Sequence, residues 1–250
     1  MATLAAAHVI AGAVVDVTGA ATRSVILHGS LAAGGFQPGR SDLDLLVVVD
    51  GVLTDARAAE LTDVVRRADA GAAAGIDLHV VTAETAGTAS RAPALELYLG
   101  RHRSSPSEVA IERRVAASPD LVTELSMARA GGRALAGAPP AEVIAPVPAE
   151  WVVDRGRHWL TVWRSLTDDV AHAAFMVLTT CRVWRFAVER VHCSKPEAAA
   201  WALRRDPSLT VVRQALRQYA YDPSTVVSQP GLADLLDTVL GEPGIVGGCR

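Results

Sequence analysis

The stretch HGSLAAGGFQPGRSDLDLLVVV, from His28 to Val49, decides the fold because it places two carboxylates in an apolar strand. Asp42 and Asp44 are separated by one residue, and residues 43–49 have the apolar pattern of a buried strand. Because side chains alternate along a strand, both aspartates face the same side, with Cα atoms about 6.6 Å apart. Desolvating two unpaired carboxylates is costly, and a divalent metal offsets that cost. Oxygen-only ligands favour Mg²⁺.

Small residues precede this strand. Gly29 and Ser30 follow a short apolar strand, Ser24 to Leu27, and this arrangement lets backbone N–H groups and a hydroxyl approach a phosphate. Ser41, next to Asp42, can donate a second hydroxyl. A Gly-Ser pair on its own is more often a plain turn.

Composition limits the class of protein. The 250 residues are 50% hydrophobic and 20% charged, which predicts a folded protein of one large or two modest domains. A formal net charge of −3 argues against a protein that wraps nucleic acid. No run of about 18 consecutive apolar residues is present, and no basic segment precedes an apolar core at the N-terminus. We therefore expect a cytoplasmic protein with no membrane or nucleic-acid partner.

Patterning divides the chain near residue 146. Residues 1–146 alternate helix-like and strand-like patterns, and residues 147–250 have apolar residues at helical spacing. The segment 137–148 contains four prolines and is predicted to be a linker or an interdomain crossing. The expected helices of the second half are 151–166, 168–191, 195–205, 208–220 and 231–240.

The spacing Gly29-Ser30, ten residues, Ser41-Asp42-Leu43-Asp44 resembles the active-site signature of nucleotidyltransferases with the DNA polymerase β fold. The resemblance implies an α+β protein, with an N-terminal domain of mixed sheet and helices followed by an all-helical bundle. It also implies two Mg²⁺ ions and ATP as co-substrate. Asp42 and Asp44 would bind the metals, and Gly29, Ser30 and Ser41 would contact the phosphates.

That family needs a third carboxylate from a neighbouring strand. Asp77 interrupts the apolar segment from Gly75 to Val81 and is the best candidate. Its role is open between general base and ligand of the second metal. Family members carry glutamate here, and aspartate is one methylene shorter. His79 shares the face of Asp77, and we interpret it as a structural histidine.

Three segments of the second half resemble the helical domain of streptomycin and spectinomycin adenylyltransferases: residues 160–163, 177–184 and 194–202. The resemblance implies that Arg182 and Lys195 contact ATP phosphates, with the active site in a cleft between the two domains. On the predicted helix 168–191, helical spacing places Asp168, His172, Phe175, Thr179 and Arg182 within roughly 80° of one another. A polar stripe of this kind suits a binding cleft.

The same resemblance implies substrate-binding roles for Trp163 and Asp168, an aromatic face and an anion suited to a cationic drug. His102 and His172 replace a tryptophan and an aspartate found in members that accept both streptomycin and spectinomycin. Members restricted to spectinomycin also lack that pair, which favours spectinomycin, although the histidines could mark a third substrate.

The function implied is Mg²⁺-dependent transfer of AMP from ATP to a hydroxyl of an aminoglycoside or aminocyclitol antibiotic, favouring the spectinomycin 9-hydroxyl. Pyrophosphate is released, and the product confers antibiotic resistance. The alternatives are the same chemistry on the streptomycin 3''-hydroxyl or another acceptor, and an inactive relative that only binds. The expected partners are ATP and a small cationic antibiotic, and we expect a monomer.

Overall fold

The computed structural model describes residues 2–103, 105 and 108–246. The chain forms two compact units, one extending to Val147 and one beginning at Pro148. The sequence-based boundary lies one residue earlier, between residues 146 and 147.

The first unit contains a six-stranded mixed sheet in the order β5-β4-β3-β2-β1-β6. Only β2 and β3 pair in parallel, and the remaining pairs are antiparallel. A mixed sheet with helices is the fold class expected from the sequence, and the structure confirms it. The strands are β1 Thr22–Leu27, β2 Leu43–Val49, β3 Gly75–Thr82, β4 Leu95–His102, β5 Ala110–Val115 and β6 Arg133–Gly137.

Helices cover both faces of this sheet. Strand alternation sends Leu45 and Val47 into a core shared with α1 and α3, and Leu46 and Val48 into a second core shared with α5. Asp44 is on the α5 face by the same alternation. The helices are α1 Ala2–Thr18, α2 Gly29–Ala32, α3 Asp55–Arg67, α4 Ala83–Gly87, α5 Leu121–Gly131 and α6 Pro140–Val143, with a 3₁₀ turn at Gly19–Ala21.

The first helix has a property that the count of consecutive apolar residues did not show. Within the described part of the chain, Ala2–Ala21 is long and apolar enough to span a membrane by length and composition, with a mean hydropathy of 1.6. The sequence analysis counted only consecutive apolar residues, so His8 and Asp16 concealed this stretch. In the fold, Ile10 and Val14 of this helix are buried in the core of the sheet. The outer side of α1 and the facing side of α3 line a groove of about 710 Å³.

The proline-rich segment 137–148 includes the boundary between the two units and contains regular structure before that boundary. Its N-terminal end belongs to β6, which pairs with β1, and Pro140 begins the short helix α6. Proline suits the first turn of a helix because the missing N–H would have no partner there. Pro140 and Ile144 are buried, and Arg129 donates hydrogen bonds to the carbonyls of Ala141 and Ile144.

The second unit is helical in its described residues, as expected. Its long second helix begins later than predicted, at Ala173 rather than Asp168. Asp169 accepts a hydrogen bond from the backbone N–H of His172 at 3.2 Å, and this turn competes with helix formation. Asp168 and His172 therefore lie outside the helix. The helices are α7 Ala149–Arg164, α8 Ala173–Glu189, α9 Lys195–Arg205, α10 Thr210–Ala220, α11 Gln229–Leu240 and α12 Pro243–Val246.

Candidate active site

Adjacent strands bring the candidate acids of the first unit together. In the parallel pair β2–β3, Asp44 is directly opposite Asp77, and Asp42 immediately precedes β2. All three side chains are partly buried. Among the described residues, no group of three or more His, Cys, Asp or Glu side chains is arranged to hold a metal ion. The acids are therefore neighbours without forming a closed metal cage.

At Gly29 the backbone passes close to the side chain of one of these acids, Asp44. The φ of Gly29 is +64°, and a Cβ at this position would lie 1.9 Å from Oδ2 of Asp44. The N–H of His28 donates to the carbonyl of Asp44 at 3.1 Å, which holds the two segments together. The buried Oγ of Ser30, the next residue, has no hydrogen-bond partner among the described residues. The start of α2 therefore offers close backbone and a hydroxyl beside Asp44.

Ser41 has a structural role in this region. It is only 6% exposed, and its hydroxyl accepts a hydrogen bond from the N–H of Gln37 at 3.0 Å. Its carbonyl accepts from the N–H of Ala74 at 2.9 Å, which ties the loop before β2 to the start of β3. Contact of Ser41 with ATP stays a prediction.

His102, one of the predicted drug contacts, lies beside a predicted metal ligand. Its Nδ1 is 3.7 Å from Oδ1 of Asp42. A Cβ at Gly75 would lie 2.7 Å from each of these two atoms, so the glycine makes room for the pair. The structure therefore places His102, a residue predicted to contact the drug, next to the acids.

Tyr98 was not identified from the sequence. Its hydroxyl donates to Oδ1 of Asp77 at 2.8 Å, and its ring lies 4.9 Å from the ring of His79. Burial, followed by the charge of Asp77, raises the pKa of Tyr98 above its usual range. The sequence contained a weak signal, an aromatic residue in the alternating segment from Leu95 to His102, but β4 was not predicted as a strand.

Two buried histidines, His28 and His79, have pKa values that burial lowers. Burial, followed by the charge of His79, lowers the pKa of His28 to about 3. Burial also lowers the pKa of His79. Neither ring nitrogen of His28 makes a hydrogen bond among the described residues, and Glu124 is 3.6 Å away.

In the second unit, the predicted ATP contact Lys195 is the first residue of α9. Its Nζ lies 4.6 Å from the ring centre of Phe175 and 5.6 Å from that of Tyr219. Phe175 also meets Trp163 edge to face, with ring centres 5.8 Å apart. A predicted ATP contact and a predicted drug contact therefore share one neighbour, the half-exposed Phe175.

Trp163, a predicted drug contact, is largely buried. It is 9% exposed, because Trp159 stacks on it with ring centres 6.0 Å apart. The guanidinium of Arg155 lies 4.9 Å from the ring centre of Trp159. The sequence analysis did not single out Trp159, although it lies one helical turn before Trp163.

The other predicted residues of this unit lie in different surroundings. Arg182 is on α8, and burial followed by its charge lowers the pKa of His192 to about 4. Asp168 is exposed in the turn before α8. Nδ1 of His172 is 2.8 Å from Oδ2 of Asp169, which lowers the pKa of Asp169. The prediction that five residues form a polar stripe on one helix is therefore wrong for Asp168 and His172. Of the five, only Phe175, Thr179 and Arg182 lie on α8.

Both units match known families. Residues 18–96 match a family model described as a nucleotidyltransferase domain, and residues 142–239 match the C-terminal domain of aminoglycoside adenylyltransferase. An aminoglycoside (3'')(9) adenylyltransferase of Escherichia coli is 30% identical over 191 residues, covering 74% of this chain and 72% of the relative. One from Klebsiella pneumoniae is 28% identical, covering 88% of this chain and 86% of the relative.

The fold has a solved counterpart. The crystal structure of spectinomycin adenyltransferase AAD(9) from Enterococcus faecialis with ATP and spectinomycin has a TM-score of 0.76 to this chain. It is 16% identical in sequence, and the match covers 95% of this chain and 99% of that one. The Escherichia coli relative, 30% identical over 74% of this chain, shows the family. This chain therefore belongs to the aminoglycoside adenylyltransferase family and is an adenylyltransferase enzyme.

Proposed function

We propose that this enzyme transfers AMP from ATP to a hydroxyl of an aminocyclitol antibiotic, with spectinomycin as the favoured acceptor, and so confers resistance. The observation that carries the proposal is the register of β2 and β3, which sets Asp44 opposite Asp77 with the backbone of Gly29 against Asp44. Family membership supplies the reaction class.

The donor atoms fit Mg²⁺. Asp42, Asp44 and Asp77 offer only carboxylate oxygens, and the buried hydroxyl of Ser30 has no hydrogen-bond partner among the described residues. Mg²⁺ is commonly bound by one or two carboxylates together with substrate phosphates, so a closed cage of protein ligands is not required. Two ions, when bound with ATP, would supply Lewis-acid stabilisation of charge on the phosphates. Asp42 and Asp44 would hold them, with Asp77 as a further ligand or as the base.

The chain's own residues account for the remaining steps. Asp77 accepts the proton of the acceptor hydroxyl as the acceptor oxygen attacks the α-phosphorus. The bond between that phosphorus and the pyrophosphate oxygen breaks, and pyrophosphate leaves. Lys195 and Arg182 neutralise charge on the phosphates, and the hydroxyls of Ser30 and Ser41 donate to them. The products are an adenylylated drug, pyrophosphate and the proton carried by Asp77.

The acceptor is a small polycation that needs anionic and aromatic partners. Asp168 would pair with a drug ammonium group, and Trp163 would present the exposed part of its ring. His102 beside Asp42 and His172 beside Asp169 stand where dual-specificity members carry tryptophan and aspartate, which supports spectinomycin. Streptomycin remains the second candidate because relatives bearing the (3'')(9) name share this chain's family. We expect a cytoplasmic enzyme, since ATP and the drug's target are in the cytoplasm, and we also expect a monomer.

The test is incubation with ATP and Mg²⁺ and either spectinomycin or streptomycin, followed by mass spectrometry for an added AMP group. We expect adenylylated spectinomycin, little modified streptomycin, and no product when Mg²⁺ is chelated. Asp44→Asn should abolish turnover. Asp50→Asn is the matched control, because Asp50 follows the opposite end of β2 and pairs with Arg23 on the surface. Equal modification of streptomycin would overturn the choice of acceptor, and full activity of Asp44→Asn would overturn the metal site.

A further inference from the structure

We propose that Tyr98 is a positioning residue that holds the carboxylate of Asp77 in place for the transfer reaction. The proposal rests on the function proposed above. Its basis is a hydrogen bond from the Tyr98 hydroxyl to Oδ1 of Asp77, 2.8 Å long and partly buried.

The path of the Tyr98 side chain depends on a glycine. In the register of β3 and β4, Tyr98 is opposite His79, whereas Gly100 is opposite Asp77. Tyr98 therefore reaches Asp77 diagonally, which long aromatic side chains can do across a sheet. A Cβ at Gly100 would lie 2.3 Å from the Tyr98 hydroxyl oxygen and 2.8 Å from Cζ. The phenol ring lies directly across the bare backbone of Gly100.

The ring is supported from a second side. Its centre is 4.9 Å from that of His79, with the two planes tilted by 39°. A ring held between Gly100 and His79 presents its hydroxyl in a nearly fixed position. A hydrogen bond from this hydroxyl restricts rotation of the Asp77 carboxyl group about its last side-chain bond. One oxygen of Asp77 is thereby committed to Tyr98, and Oδ2 is the oxygen left to act on the acceptor hydroxyl or a metal.

The hydrogen bond from Tyr98 to Asp77 also has an electrostatic effect. Asp44 is directly opposite Asp77, so the two carboxylates repel each other across the parallel pair. The Tyr98 hydroxyl, which donates to Oδ1, stabilises the charged Asp77 carboxylate despite this repulsion. Phenylalanine would keep the contacts with Gly100 and His79, so the hydroxyl alone has this role.

Tyr98→Phe tests the proposal directly. Hydrogen bonds to charged groups are the stronger ones, and losing one should lower kcat about tenfold or more. KM for ATP and for the acceptor should stay within about twofold, and the melting temperature should change little, because the ring contacts remain. Tyr221→Phe is the matched control, since Tyr221 is 85% exposed. A kcat for Tyr98→Phe within twofold of the unchanged enzyme would overturn the inference.

A second readout needs no turnover. The tyrosine doublet in ultraviolet resonance Raman spectra reports whether a phenol donates a strong hydrogen bond. The difference spectrum between the unchanged protein and Tyr98→Phe should show a strong donor, and the doublet of a solvated phenol would contradict the contact. Asp77→Asn distinguishes failure of the proposed function from failure of the proposal for Tyr98. If that variant remains active, the proposed function of Asp77 fails, whereas loss of activity in Asp77→Asn with normal Tyr98→Phe refutes the role of Tyr98 alone.

Discussion

At the scale of single residues, the acids depend on close neighbours that lack side chains. Gly29, Gly75 and Gly100 each lie where a Cβ would collide with a functional side chain or its partner. They admit Asp44, the His102–Asp42 pair and the Tyr98 ring, respectively. The site therefore depends on small residues as much as on its acids.

Gly29→Ala should reduce activity more than tenfold, because the new methyl group would occupy the place of Asp44 Oδ2. Gly34→Ala is the matched control: Gly34 has a similar φ of +74°, but a Cβ there would meet nothing within 4 Å. Both substitutions should lower the free energy of unfolding by about 1 kcal/mol through backbone strain, and Gly29→Ala by more. Steady-state rates and urea titrations give both quantities. Equal activity of the two variants would contradict the role assigned to Gly29.

His28 predicts how stability depends on pH. Its pKa falls from an ordinary value of 6.5 to about 3 on folding, so the unfolded chain binds the proton more tightly. The contribution to stability is complete above pH 6.5 and is lost as the pH falls towards 3. Between pH 7 and pH 5, this group alone should remove about 2 kcal/mol from the free energy of unfolding.

Urea unfolding of the unchanged protein and of His28→Gln at both pH values measures this effect. Glutamine is polar and does not titrate, so the variant should lose about 2 kcal/mol less than the unchanged protein between pH 7 and pH 5. An equal loss in both proteins would show that folding does not lower the pKa of His28.

At the scale of elements, the start of α9 determines where Lys195 lies. Ser194 and Glu197 form a capping box, in which the Ser194 hydroxyl accepts from the Glu197 N–H at 3.4 Å. Glu197 Oε2 accepts in return from the Ser194 N–H at 2.9 Å. This cap holds the first turn of the helix, and Lys195 is the first residue of that turn.

Ser194→Ala should lower the free energy of unfolding by about 1 kcal/mol and raise KM for ATP. Ser228→Ala is the control, because Ser228 caps α11, which carries no predicted ligand. It should cost about the same stability without changing KM. An unchanged KM in Ser194→Ala would indicate that the cap does not position Lys195 for ATP.

At the scale of the whole molecule, ATP contacts are proposed on both compact units. Asp44 belongs to the first unit, and Lys195 to the second. A ligand that binds only the folded protein raises its stability by about 2.7 kcal/mol at a concentration of a hundred times Kd. If both units engage ATP, a substitution in either one should weaken that stabilisation.

Thermal unfolding with Mg²⁺ and a non-hydrolysable ATP analogue tests this. The analogue should raise the melting temperature of the unchanged protein, and both Asp44→Asn and Lys195→Ala should show a smaller rise at the same concentration. Asp50→Asn should keep the full rise. A full rise in Lys195→Ala would restrict ATP binding to the first unit.

Local patterns account for what sequence analysis achieved. Alternation along β2 put Asp42 and Asp44 on one face, and helical spacing located most of the second unit. The start of α8 was wrong because side-chain hydrogen bonds in the turn around Asp169 competed with a helical pattern. The short helix α6 was not predicted, because burial of Pro140 and Ile144 depends on neighbours distant in sequence.

The sequence by itself determined the residue types of the site, the two-part α+β architecture and the family. The tertiary structure alone decided which residues meet. Asp44 faces Asp77 through strand register, Tyr98 reaches Asp77 across Gly100, and Phe175 lies between Trp163 and Lys195. The physical reason is that alternation and helical spacing act between near neighbours in the chain. Register and side-chain contacts are set by packing among segments that are far apart in sequence.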